Sequence, residues 1–210
     1  MSQYPAMTDQ PLRIREWPHP VLCAPSTAVK DFDTALLGFV AQMWVTMHHA
    51  RGVGLAAPQV GVALRVFVMD CAGPDEESRR VVCVNPRLEE RGALIDSSEG
   101  CLSFPGLSIT VPRHETVTLH GYDELGAPFE LALEGLDAIC AQHELDHLDG
   151  LSFLDRLGPL ERRATLEEYL AGLEDLIAEL EESQEGSPEV LASMREAARL
   201  TRELLSEARP

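Results

Sequence analysis

The stretch QHELDHLDG, residues 142–150, sets His143 and His147 four positions apart, with Glu144 directly after the first histidine. On a helix, side chains at i and i+4 project from one face, so the two imidazoles can bind a single metal ion. Glu144 is rotated off that line but can reach an open coordination position. A carboxylate there can take a proton from water and pass it to a leaving group. H-E-x-x-H is thus a metal-hydrolase signature that still needs a third protein ligand.

The extended zinc-protease pattern H-E-x-x-H-x-x-G-x-x-H matches as far as Gly150, but its last histidine position holds Phe153, which cannot bind a metal. A gluzincin-like zinc endopeptidase would instead take a glutamate from a later helix, and Glu167 and Glu168 stand at a possible distance. Both belong to a run of glutamates of the kind that forms a solvated helix face. Upstream, EGCLSFPG (99–106) presents Cys101 between a glycine and a leucine, in what reads as a polar turn before a strand. A thiolate with two imidazoles gives three ligands and leaves the fourth position for water. A single cysteine is more often a small buried apolar residue. With H-E-x-x-H downstream and a third position unfilled, Cys101 is the favoured ligand.

The elements that must hold these residues follow from periodicity. Asp33 or Thr34 caps a helix running to about His49, with Leu36, Leu37, Val40, Met43, Trp44 and Met47 at helical spacing. GVGLAAPQVG reads as loop or irregular extended chain. LRVFVMD (64–70) and VVCVNPRL (81–88) read as strands around the polar segment AGPDEESRR. ITVPRHETVTLHGYDELGAPFELAL reads as a strand, a turn near Asp123–Gly126 and a returning strand. Gly135 to Leu148 reads as a helix with Leu136, Ile139, Cys140 and His143 on one face, and Gly150 suits its end. Strands and helices without strict βαβ alternation predict an α+β fold. Its mostly antiparallel β-sheets surround a central HExxH helix, with an N-terminal helix and a helical C-terminal extension.

After residue 160 the chain becomes acidic and amphipathic. Leu166, Leu170, Leu173, Ile177 and Leu180 recur at helical spacing, SQEGSP interrupts, and Ser187 with Pro188 starts a further helix. The expected division is a catalytic domain over residues 1–160 and an extension over 161–210. The 210 residues carry a formal net charge of −18, which argues against a role built on phosphate backbones. The N-terminus lacks the layout of a secretory signal, and no apolar run is long enough to span a bilayer. Five cysteines without any C-x-x-C fit a reducing cytoplasm. Nothing in the sequence sets the oligomeric state.

Three motifs in order, GVGLAAPQ (52–59), EGCLS (99–103) and QHELDHLDG (142–150), resemble those of the peptide deformylases. The flanks HPVLCAPS and GLSFLDRL are similar too, so the resemblance spans about residues 12–160. It implies removal of the formyl group from the initiator methionine of nascent polypeptides, with release of formate. It implies that Cys101, His143 and His147 bind the metal, natively Fe(2+), with Zn(2+), Ni(2+) or Co(2+) able to occupy the same site. The metal would supply hydroxide for attack on the formyl carbon, Glu144 serving as base and then acid. The Gln59 amide and the Leu102 backbone N–H would donate to the oxyanion. The resemblance gives Gly54 a backbone contact to substrate, and Val53, Leu136, Ile139 and Cys140 are candidates to line the methionine pocket. Glu99 could orient a histidine ligand or pair with Arg113. The implied partners are formyl-methionyl peptides at the ribosome, in the cytoplasm, without specific nucleic-acid binding. Residues 104–108 carry no basic side chain, where some members place an arginine near the far end of the substrate.

Overall fold

The computed structural model of the chain describes residues 4–5, 10–73, 77–183 and 186–207. Helix α1 spans Thr34–His49, and the Asp33 carboxylate caps it by accepting from the N–H groups of Ala35 and Leu36, both at 3.0 Å. Its apolar face, including Leu36, Phe39, Met43 and Met47, is buried against Leu55, Val66 and Val84.

Five strands form one sheet in the order of the chain, and every neighbouring pair is antiparallel. They are β1 (Gly54–Ala56), β2 (Val66–Met69), β3 (Val81–Cys101), β4 (Phe104–Tyr122) and β5 (Pro128–Glu134). The segment expected to be irregular therefore contains the edge strand β1, followed by a 3-10 turn over Ala57–Val60. Of the polar segment before β3, residues 74–76 lie outside the described residues.

The largest departure from the sequence reading is the β3–β4 hairpin. Strand β3 does not stop near Leu88 but runs to Cys101, and β4 begins at Phe104 rather than near Ile109. The polar turn expected over 99–106 shrinks to Leu102 and Ser103, because Cys101 pairs with Phe104. Residues 89–101 lack a clean apolar alternation, and the ladder to β4 carries them through register shifts between Arg91 and Leu94 and between Gly100 and Cys101.

Helix α2 spans Gly135–Leu148, as the periodicity predicts, and packs Ala138, Cys140, Ala141 and Leu148 against Ala56, Phe67, Met69 and Leu119 of the sheet. Buried Gln142 ties it to β4: its amide accepts from the His114 N–H at 2.9 Å and donates to the His114 carbonyl at 2.8 Å. The side chain thereby satisfies backbone groups on a strand edge that would otherwise be stranded.

Helices α3 (Pro159–Ser183) and α4 (Pro188–Glu207) form the C-terminal extension, with the Ser187 hydroxyl accepting from the Val190 N–H at 3.3 Å. They do not float free. Leu166, Tyr169, Leu173, Met194, Ala197 and Ala198 share a buried cluster with Trp17, Phe104, Val111 and Phe153. Along α4, Met194 and Ala198 are buried and Leu205 is partly so, whereas Val190 stays exposed. Among the described residues no helix is long and apolar enough to cross a membrane.

Candidate active site

Two elements bring the predicted ligands together. The end of β3 delivers Cys101, and α2 delivers His143 and His147 from one face. The Cys101 Sγ lies 3.2 Å from His147 Nε2, and one ligand atom from each of the three residues lies within 4.8 Å of the others. A tetrahedral ion with bonds of about 2.0–2.3 Å holds its ligand atoms about 3.4–3.7 Å apart, so small adjustments suffice to seat one. One soft sulfur with two imidazole nitrogens suits a first-row transition metal better than calcium or magnesium. The donor set fits the group that the sequence implies.

The surroundings orient these ligands. Glu99 Oε2 lies 2.9 Å from His143 Nδ1, which leaves His143 Nε2 for an ion. The same carboxylate accepts from Arg113 Nε at 2.8 Å and from Nη2 at 2.9 Å. Arg113 in turn donates through Nη1 to Asp146 at 2.6 Å, and Arg156 also binds Asp146. Glu99 therefore fills both roles open to it in the sequence. Burial alone would raise its pKa, but hydrogen bonds from His143 and Arg113 and the Arg113 charge hold it down at about 2. Arg113 is only 2 % exposed, a cation kept charged by two carboxylates.

Glu144 differs in kind. It is 3 % exposed, and its Oε2 has no hydrogen-bond partner among the described residues. Burial pushes its pKa up to about 7, with the charges of Glu99 and Asp146 adding to the rise and those of His143 and Arg113 opposing it. A carboxyl balanced between its two forms near neutral pH is suited to both taking and returning a proton. Gly54 of β1 makes room for it: a Cβ there would fall 2.3 Å from Glu144 Oε1 and 2.7 Å from Cys140 Sγ.

Gln59 is fully buried, and its orientation is set by the chain itself. Its Oε1 accepts from the Ala56 N–H at 2.8 Å, so its amino group faces Ser103 Oγ at 3.3 Å and Cys101 Sγ at 3.7 Å. Leu102 occupies the two-residue turn between β3 and β4, where its N–H lies outside the strand ladder. All of this surrounds a cleft of about 480 Å³. Val53, Leu136, Ile139 and Cys140 line it, as the sequence suggests. Val53 and Leu136 stand partly exposed at its mouth and Cys140 is buried. Glu167 and Glu168 lie outside the ligand cluster, and Glu167 pairs with Arg163.

Sequence reasoning missed Asp146, Arg156, Ser103 and the task of Gln142. Asp146 and Gln142 sit inside the quoted motif, so their positions were visible. Their partners come from β4 and from the turn after α2, which no local spacing reveals.

Two imidazoles and a thiolate converging near a buried carboxylate are the layout of a metal-dependent hydrolase. The chain belongs to the polypeptide deformylase family, whose family model matches residues 11–163. It is 44% identical over 155 residues to the peptide deformylase of Aquifex aeolicus, which covers 73% of this chain and 91% of that one. Among solved structures, a peptide deformylase from Legionella pneumophila superimposes with a TM-score of 0.73 at 38% identity, over 85% of this chain and 100% of that one. A peptide deformylase from Synechococcus elongatus, solved in complex with actinonin, gives a TM-score of 0.71 at 38% identity over 79% and 91% of the two chains.

Proposed function

We propose that the site of this deformylase works through Cys101, His143 and His147 as metal ligands and Glu144 as the proton carrier. The enzyme is a metallohydrolase that removes the N-formyl group from the methionine of nascent polypeptides, yielding formate and a free amine. Fe(2+) is our assignment for the native ion, with Zn(2+), Ni(2+) or Co(2+) as substitutes, because the single thiolate is a soft, electron-donating ligand. When bound, the ion supplies Lewis acidity and brings a water close to ionisation at neutral pH.

The chain's own residues do the rest. A peptide enters as an added strand beside Gly54 on β1, an edge of the sheet, with its methionine side chain between Val53, Leu136, Ile139 and Cys140. The Gln59 amino group, held by the Ala56 N–H, and the Leu102 N–H donate to the oxygen that gains charge as the formyl carbon turns tetrahedral. Glu144 accepts a proton as the attacking oxygen adds and hands it to the departing nitrogen, so a neutral amine leaves. Glu99, charged because Arg113 faces it, holds the His143 ring in one orientation.

The observation that carries this reading is the Cys101 thiol grouped with both histidines, with the fixed amide of Gln59 3.7 Å from its sulfur. A glutamate-ligand protease would instead need Glu167 or Glu168 at the third ligand position, and neither joins the cluster. The catalytic unit is assigned to residues 1–160, with 161–210 as an appended helical element, and the protein works in the cytoplasm on peptides leaving the ribosome. Formate release from formyl-Met-Ala-Ser by anaerobically purified protein tests the activity. Cleavage of internal peptide bonds without formate would overturn it in favour of the endopeptidase.

A further inference from the structure

A second groove of about 290 Å³ lies between the start of β4 and helix α3. Gly106, Leu107 and Ser108 line both this groove and the catalytic cleft, so the two cavities border the same stretch of β4. No side chain divides them at Gly106, where even an added Cβ would meet nothing within 4 Å. The groove also runs along an open sheet edge. Strand β4 pairs with β3 from Phe104 to Tyr122, but β5 joins its other edge only from Thr116 onward, with Gln142 bonded to that edge at His114. Beneath that free edge, α3 supplies Thr165, Glu168, Leu173 and Leu176 as the facing wall. Glu168 is exposed and, unlike its neighbour Glu167, takes part in no ion pair among the described residues.

We propose that this groove receives the part of the nascent chain downstream of the formyl-methionine. That segment adds as a strand to the open edge of β4, and Glu168 favours a basic residue in it. The inference rests on the deformylase reading given above. Three observations together name the occupant. The groove borders, through Gly106, Leu107 and Ser108, the cleft in which a formyl-methionyl peptide must lie. An unpaired strand edge takes an extended chain through its backbone groups whatever its sequence. A mixed wall of leucines and small polar residues tolerates many side chains, as an enzyme acting on nascent proteins in general requires. The segment involved lies beyond the residues seated beside Gly54, each extended residue advancing about 3.3 Å. Glu168 then gives this chain a charge bias that residues 104–108, without a basic or acidic side chain, do not supply.

The test compares formyl-Met-Ala-Ser with formylated octapeptides that carry Lys or Glu at positions five and six. The metal-loaded full chain is used throughout, and kcat/KM is read from formate release. The octapeptides should outperform the tripeptide, and the Lys form should exceed the Glu form by about two- to fivefold, the range of one exposed ion pair. Glu168→Lys should reverse the Lys-over-Glu order while leaving the tripeptide rate unchanged. A benzoylphenylalanine at position five should cross-link to residues 165–176. Rates independent of length, a charge preference that Glu168→Lys does not move, or cross-links confined to residues 51–54 would each overturn the proposal. Absence of cross-linking together with a dimer in sedimentation would assign the groove to a second copy of the chain, which also overturns it. Failure to release formate even from the tripeptide would strike the deformylase reading instead, so the two are told apart.

Discussion

The metal-ligand centre and the C-terminal helical hairpin hold their charges in opposite ways. Around the centre, Glu99, Arg113 and Asp146 are buried and joined in one chain of charge-assisted bonds that ends on His143. In the hairpin, Arg195, Arg199 and Arg202 meet Glu181, Glu196, Glu203 and Glu174 at the surface. Buried pairs give geometry at a steep cost if one partner is lost, whereas exposed pairs contribute little. The comparison teaches that the fold concentrates its polar precision on two imidazoles and a thiolate. It attaches the hairpin mainly by apolar contact.

The sharpest break of this contrast is Cys101→Ser. It should abolish stoichiometric metal by elemental analysis and cut turnover by more than the 10- to 100-fold typical of an outer partner. Replacing Glu167 and Glu168 together should leave metal content and tripeptide turnover unchanged. The reverse result would restore the glutamate-ligand enzyme. Glu144→Gln should keep the metal and lose about 10²- to 10⁴-fold in kcat, because the amide cannot accept a proton. A normal rate would remove Glu144 as proton carrier.

Arg113→Met tests the buried side of the comparison. It leaves the buried Glu99 carboxylate without its guanidinium while Asp146 keeps Arg156, so denaturation should show a loss of about 3–5 kcal/mol. Metal affinity should fall about 10- to 100-fold as Glu99 loses the partner that fixes it. A loss of stability with unchanged affinity would mean that Glu99 does not orient His143. The smallest effect is expected at the hairpin. A chain ended after Glu182 uncovers the buried contacts of Met194, Ala197 and Ala198, worth about 2–3 kcal/mol, and should melt about 4–12 °C lower. Its metal content and turnover of formyl-Met-Ala-Ser should stay near normal. A loss of either would make α4 part of the site rather than an attachment to it.

The spacing of His143, Glu144 and His147 determined by itself that one helix face could hold a metal, because helical periodicity is local. Both long helices of the extension and the α1 cap at Asp33 were legible for the same reason. Cys101 was favoured because the H-E-x-x-H helix leaves a third ligand position unfilled, whereas Gln59 and Gly54 were named through the three-motif resemblance. That resemblance states which residues matter without stating where they lie. Tertiary structure alone decided that β3 and β4 run to the rim of the cleft as one long hairpin. The residues at its tip have too little apolar alternation to announce a strand, and their conformation comes from pairing with each other. Tertiary structure also decided that Arg113 and Asp146 stand behind His143, since a buried charge network depends on partners from separate elements. The apolar stripes of α3 and α4 announced a buried face but not its partner. Only folding brought Tyr169 and Met194 into one cluster with Phe104 and Phe153, because apolar burial is non-directional and a stripe does not name the surface that will cover it.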